Sequence, residues 1–284
     1  MQRVLLLVLV MLGAGALAGP VVEVRVGAGI DEAQKGLEAA LLAQGFTPER
    51  TLDISAGIHA RGVSFMPYKV TVLKPDAGIV AAVQVDPSAA ALLPPTVYLY
   101  SPKANETVIG TADIRAWLPL MKLPASSQEA LKITFAKLET ALSHLGNLQK
   151  GSGEVPSGPL AMLYRIPGSN LADVIPFLDS GVRDKNLNLV GGLQLSRHLG
   201  DVRQFWVCRL EWPESLFRVL PQAGIMAPCR MFAYQQGKDV IVGAMDPLLA
   251  LAFGKLDDKV LKEMRGIRTL IDELLTELGA EPIK

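Results

Sequence analysis

Thr96-Val-Tyr-Leu-Tyr100, a polar turn and Val108-Ile-Gly-Thr-Ala-Asp113 decide the fold, because their outline returns further along the chain. There Arg230-Met-Phe-Ala-Tyr234 leads through Gln235-Gln-Gly-Lys238 into Val240-Ile-Val-Gly-Ala-Met-Asp246. Each copy reads as a hairpin followed by a long helix, the first closing at Leu145-Gly146 and the second at Leu278-Gly279. Asp113 and Asp246 stand at the same offset as Gly146 and Gly279, so no gap interrupts this part of the unit. A repeat of this length is a tandem domain rather than a short solenoid unit.

Working outward, the first copy opens with a strand over 21–26, where Glu23 and Arg25 alternate with valines. Asp31 is the expected N-cap of a helix that stops at Gly45. Strands over 46–54 and 68–73 follow, then a helix over 78–85 that Pro87 ends, and a closing helix over 127–145. Gly151-Ser-Gly-Glu-Val-Pro-Ser-Gly-Pro159 suits neither helix nor ladder and is read as the linker, 151–160. The pattern then restarts. Strands are expected over 160–166, 188–195 and 205–210, and helices over 171–178 (with an awkward Pro176), 214–220 and 257–278. The expected fold is α+β: two tandem copies of a small sandwich, each a mixed sheet with helices packed on one face, related by a pseudo-two-fold axis. The domains run 19–150 and 161–284.

Met1-Gln-Arg3, the apolar run 4–12 and Ala16-Leu17-Ala18 have the build of a secretory signal peptide over 1–18, cleaved after Ala18. The run is short for a membrane span, so a periplasmic or secreted protein with no stable membrane anchor is expected. Lys and Arg number 28 against 28 Asp and Glu, with no basic cluster, which argues against a nucleic-acid partner. Half the residues are apolar, enough for two cores.

Phe205-Trp-Val-Cys208, Pro213, Ile225-Met-Ala-Pro-Cys229 and Val240-Ile-Val-Gly-Ala-Met-Asp-Pro247, with the long closing helix, resemble the domain of unknown function 302 family. The resemblance covers most of 161–284 and, more weakly, 21–150. It implies a compact unit that tends to pair, and no reaction. On this reading Thr71 and Pro95 occupy the places of the two cysteines in a first copy that has drifted.

Cys208 and Cys229 are the only cysteines. Export favours a disulfide between them, closing a loop of about twenty residues. Parallel neighbouring strands would put the sulfurs out of reach, and antiparallel strands would not. A bridge, two inert buried thiols and a reactive or metal-binding pair therefore all remain open. His59, His144 and His198 are scattered without metal-ligand spacing, and no metal site is read from them, although a metal or haem centre of the cysteines with His198 is a third option. Gly27-Ala-Gly29 lacks the third glycine of a dinucleotide loop, and Asp246-Pro247 is a helix start. Ser55, Ser64 and Ser196 lack a nucleophile-elbow context. No catalytic set and no cofactor are identified. Tyr98, Tyr100, Phe232 and Tyr234 fall at outward-facing strand positions and could line a groove between the copies for a ligand or partner, or form a dry interface. The reading is a non-enzymatic binding or accessory module for a small ligand or protein partner, an internal pseudo-dimer that need not oligomerise. A thiol-dependent redox or metal-binding protein using Cys208 and Cys229 is the alternative.

Overall fold

The computed structural model describes residues 19–195 and 201–283. The expected leader and His198 lie outside them. The first half runs β1 (Val21–Val26), α1 (Ile30–Ala43), β2 (Pro48–Asp53), α2 (Ile54–His59), β3 (Tyr68–Leu73) and α3 (Ala77–Val85). A 3-10 segment, Pro87–Ala91, leads to β4 (Thr96–Lys103), β5 (Glu106–Ala112), α4 (Ile114–Trp117), α5 (Ala125–Ser143) and β6 (Gln149–Lys150). The second half runs β7 (Ala161–Ile166), α6 (Leu171–Asp184), β8 (Asn188–Gln194), β9 (Arg203–Cys208) and α7 (Glu211–Val219). A second 3-10 segment, Pro221–Met226, leads to β10 (Cys229–Gln236) and β11 (Asp239–Met245). After a third, Pro247–Phe253, come α8 (Asp258–Glu277) and β12 (Glu281–Pro282).

Each half builds a six-stranded sheet in the same spatial order. The first is β2-β3-β4-β5-β1-β6, and the second, read from the other edge, is β8-β9-β10-β11-β7-β12. Every ladder is antiparallel, which corrects the expectation of a mixed sheet. β1 and β2, joined by α1, run in the same direction, as do β7 and β8 joined by α6, but three strands lie between the members of each pair, so no two neighbouring strands are parallel.

The two hairpins superpose in register except at one point. Between Thr96 and Asp113 the chain has one residue more than between Arg230 and Asp246. The β4–β5 ladder absorbs it as an irregularity between Tyr100 and Lys103, whereas β10–β11 pairs without a shift. Thr96 and Arg230 are therefore counterparts. Two residues on, Tyr98 lies opposite Gly110 and Phe232 opposite Gly243, each glycine leaving room for the ring across the ladder. By the same register Cys208 corresponds to Lys74 and not to Thr71, since Val207 pairs with Cys229 while Leu73 donates its backbone N–H to Pro95. The Pro95 counterpart of Cys229 stands.

One face of each sheet carries that half's own helices; the other receives the 3-10 segment of the opposite half. Pro87–Ala91 packs on β10 and β11, and Pro221–Met226 packs on β4 and β5. Tyr68 stacks on Phe217 at 4.7 Å between ring centres and donates its hydroxyl to the Pro221 carbonyl. An added Cβ on Gly224 would overlap the Tyr68 hydroxyl and Tyr98, so only glycine allows this approach. The result is one continuous hydrophobic core through both halves.

At the centre, fully buried Arg230 donates from Nη1 to the Leu92 carbonyl at 2.5 Å, and from Nη2 to the Pro94 carbonyl at 3.0 Å and to the Thr96 hydroxyl. Gln204 donates to the carbonyls of Ala90 and Leu93 at 2.6 and 2.8 Å and accepts from the Trp206 indole at 2.7 Å. These side chains satisfy the carboxyl end of the Pro87–Ala91 segment, where orphan carbonyls favour a cation.

Three local expectations change. The N-cap of α1 is Gly29; Asp31 lies in the first turn, where Lys69 donates to it at 2.5 Å. The strand expected over 46–54 stops at Asp53, whose carboxylate caps α2 by accepting from Ala56 N–H at 2.8 Å. α6 runs through Pro176 to Asp184 because Leu171, Val174, Leu178 and Val182 bury one stripe while Pro176 stays on the solvent side.

Candidate functional site

β9 and β10 are adjacent and antiparallel, and Cys229 pairs with Val207, the neighbour of Cys208. The strands therefore bring the two cysteines to the same end of the ladder. Both thiols are free and half-buried. Burial pushes Cys208 up to about 11, with the nearby Glu211 carboxylate adding to it. Burial, and then the neighbouring Cys208, push Cys229 up to about 12. A thiol activated for nucleophilic work sits in the opposite environment, electropositive and partly solvated.

Both cysteines line a partly enclosed cavity of about 80 Å³. Its floor is the end of sheet strands β9–β11; α7 and α8 form walls, and Leu52 and Ile54 of the first half close one side. The lining is almost wholly apolar, with Met226, Met231, Met245 and Met264 prominent. Burial also draws the Arg230 guanidinium down to about 9, still well above neutral pH, so the group is charged. It makes no ion pair among the described residues, and its buried Nε has no partner.

The space between the halves thus lies elsewhere than the aromatic positions suggested. Tyr98 and Phe232 are fully buried, and Tyr100 nearly so; only Tyr234 keeps appreciable exposure. Tyr98 stacks with Tyr100 and Phe232 with Tyr234, each pair within its own half, under the opposite 3-10 segment. They do not come together as one open groove, because the exchanged segments occupy that face. Met264, far along α8, lines the cavity without any local signal in the sequence.

His59 bonds locally, its Nε2 lying 2.9 Å from the Phe65 carbonyl, and His144 is the C-cap of α5. Asp246 caps the Pro247–Phe253 segment by accepting from Leu248 N–H at 3.0 Å, a structural role. Among the described residues no three His, Cys, Asp or Glu side chains stand together as a metal set, and no helix is long and apolar enough to cross a membrane.

Residues 22–145 match the family model described as "Domain of unknown function DUF302". The match falls on the half that the motifs had marked as the more drifted. An uncharacterized protein of Aquifex aeolicus (strain VF5) is 31% identical over 77 residues, 26% of this chain and 53% of that protein. The chain therefore spans about half the length of this relative. Among solved structures, the uncharacterized conserved protein DUF302 from Bacillus stearothermophilus is similar at 18% identity and a TM-score of 0.40, covering 44% of this chain and 97% of that one.

Proposed function

We propose that this chain is an exported, non-enzymatic binding or accessory module, in which two family-like halves, 19–150 and 161–284, form an internal pair. The cavity beside Cys208 and Cys229 carries this reading: it is apolar, partly enclosed and closed by residues of both halves. Sites for small ligands take this form, concave and apolar with a few polar groups at the edge. At about 80 Å³ it suits a very small apolar molecule or a single ion rather than a cofactor. A thiol redox role is less well supported, because both thiols are held protonated at neutral pH.

Xenon is the direct probe of such a space. The native chain, freed of residues 1–18, is expected to shift the xenon NMR resonance in a saturable way. Leu52→Trp, at a half-buried wall position, is expected to abolish the shift while leaving the circular dichroism unchanged. Absence of any saturable shift from the native chain would end the cavity-binding reading.

A further inference from the structure

Of the residues that line the cavity, only Leu52, Cys208, Arg209, Trp212 and Cys229 are half-buried; the others are buried. These five mark its mouth, and Cys208, Arg209 and Trp212 lie where β9 runs into α7. A molecule entering or leaving the cavity therefore passes the start of α7.

The two ends of α7 are held differently. At the far end Phe217 is buried and stacks on Tyr68 of the first half at 4.7 Å. Beside it Arg218 donates to the Ser64 carbonyl at 3.0 Å and lies over the Phe65 ring. Buried aromatic contact is a strong anchor that salt does not screen. At the near end Leu210 takes the N-cap position and offers no capping side chain to the first turn. Beyond the packing of Leu210 against Gly57 of α2, the hold there is ionic. Arg61 of the first half reaches Glu211 at 3.0 Å and Glu214 at 3.4 Å. All three side chains are partly exposed, so these pairs are weak and are screened by salt.

We infer that α7 is the lid of the cavity, pivoting on its Phe217 end, and that Arg61 is the latch. The first half thus does more than supply Leu52 and Ile54 to the wall: through one guanidinium it sets how often a cavity of the second half opens. The inference rests on the cavity being a binding site, and names the regulation of that site. Arg61 does not line the cavity, so loosening it quickens capture and release together and leaves affinity as it is.

Xenon serves again as the probe, because it is neutral and its release responds to salt only through the protein. Release is read by saturation-transfer NMR on the chain without residues 1–18. In Arg61→Ala it should be about 3–10-fold faster than in the native chain, as the loss of two exposed ion pairs implies, with the dissociation constant unchanged. Arg61→Lys, which keeps a point charge, should fall between the two. Raising NaCl from about 0.05 to about 0.5 M should bring native release toward the rate of Arg61→Ala and leave that variant where it is. Arg25→Ala removes an exposed pair of the same kind, with Glu106 in the β4–β5 hairpin, and should release at the native rate. A native rate in Arg61→Ala, an equal acceleration in Arg25→Ala, or salt acceleration that persists in Arg61→Ala overturns the inference. So does faster release matched by an equal loss of affinity, which would make Arg61 a support of the wall. Each of these results, obtained with saturable xenon uptake, leaves the cavity reading standing; no uptake by the native chain ends both.

Discussion

Replacing Arg230 by Met tests the join between the halves. Met fills much of the same space, so the change removes chiefly the guanidinium and its bonds. The Leu92 and Pro94 carbonyls, now served at 2.5 and 3.0 Å, would be left in the core without a donor. Each orphaned carbonyl costs about 1–3 kcal/mol, together about 2–6. Removing a desolvated charge returns part of this, and the net loss is estimated at about 2–4 kcal/mol. For a chain of this size that corresponds to a fall in Tm of about 5–15 °C, read by calorimetry or circular dichroism. Arg230→Lys, which keeps the charge and loses the fork, should fall between the two. An unchanged or raised Tm in Arg230→Met would refute the reasoning, because the buried cation would then be a burden that its bonds do not offset.

Three other outcomes follow from the same structure. A thiol at about 11 in place of the usual 9 holds about a hundredfold less thiolate at pH 8, so alkylation of Cys208 in the folded chain should be about 100-fold slower than in urea; equal rates would show the site to be open. Glu23, whose carboxylate accepts from the Tyr98 hydroxyl at 2.7 Å, is raised above its usual 4.5 by burial. In the window just above 4.5 the folded chain holds this proton more tightly than the unfolded one, so stability falls as pH rises through it. Glu23→Gln keeps the acceptor and should flatten that slope in Tm against pH, leaving the part due to Glu139, which burial raises in the same sense; an unaltered slope would contradict it. Gly243→Ala places a methyl group against the Phe232 ring and should cost about 1–3 kcal/mol in urea denaturation, whereas a neutral result would mean that the ring has room to move.

Much of the architecture was legible because it is local. The alternation in Val21–Val26 and the β-branched run in Tyr68–Leu73 gave those strands to the residue. The hairpins and closing helices followed from periodicity and glycine stops. Short-range capping was less legible: Asp53 and Asp31 are both plausible caps by residue type, and only the surrounding contacts make the first a cap and the second an ion-pair partner of Lys69. The site was least legible. Tyr98, Tyr100, Phe232 and Tyr234 were expected to line a groove between the copies, but no local rule says that a 3-10 segment from the other half covers that face. The cysteines were found as residues, while their cavity depends on Leu52 and Met264, which lie far from them in the chain.

The Thr96–Arg230 contact has a further meaning. These residues are counterparts in the two halves and touch each other, as residues on a two-fold axis must. Two identical copies meeting in this way could place only like against like at that point: two threonines, with the carbonyls of the 3-10 segment unserved, or two guanidiniums in mutual repulsion. Only a pairing of unlike halves can set one cation against one hydroxyl there. Carrying both halves on one chain fixes that mixed pairing at an effective concentration no separate partner need match, and excludes the two self-pairings by construction.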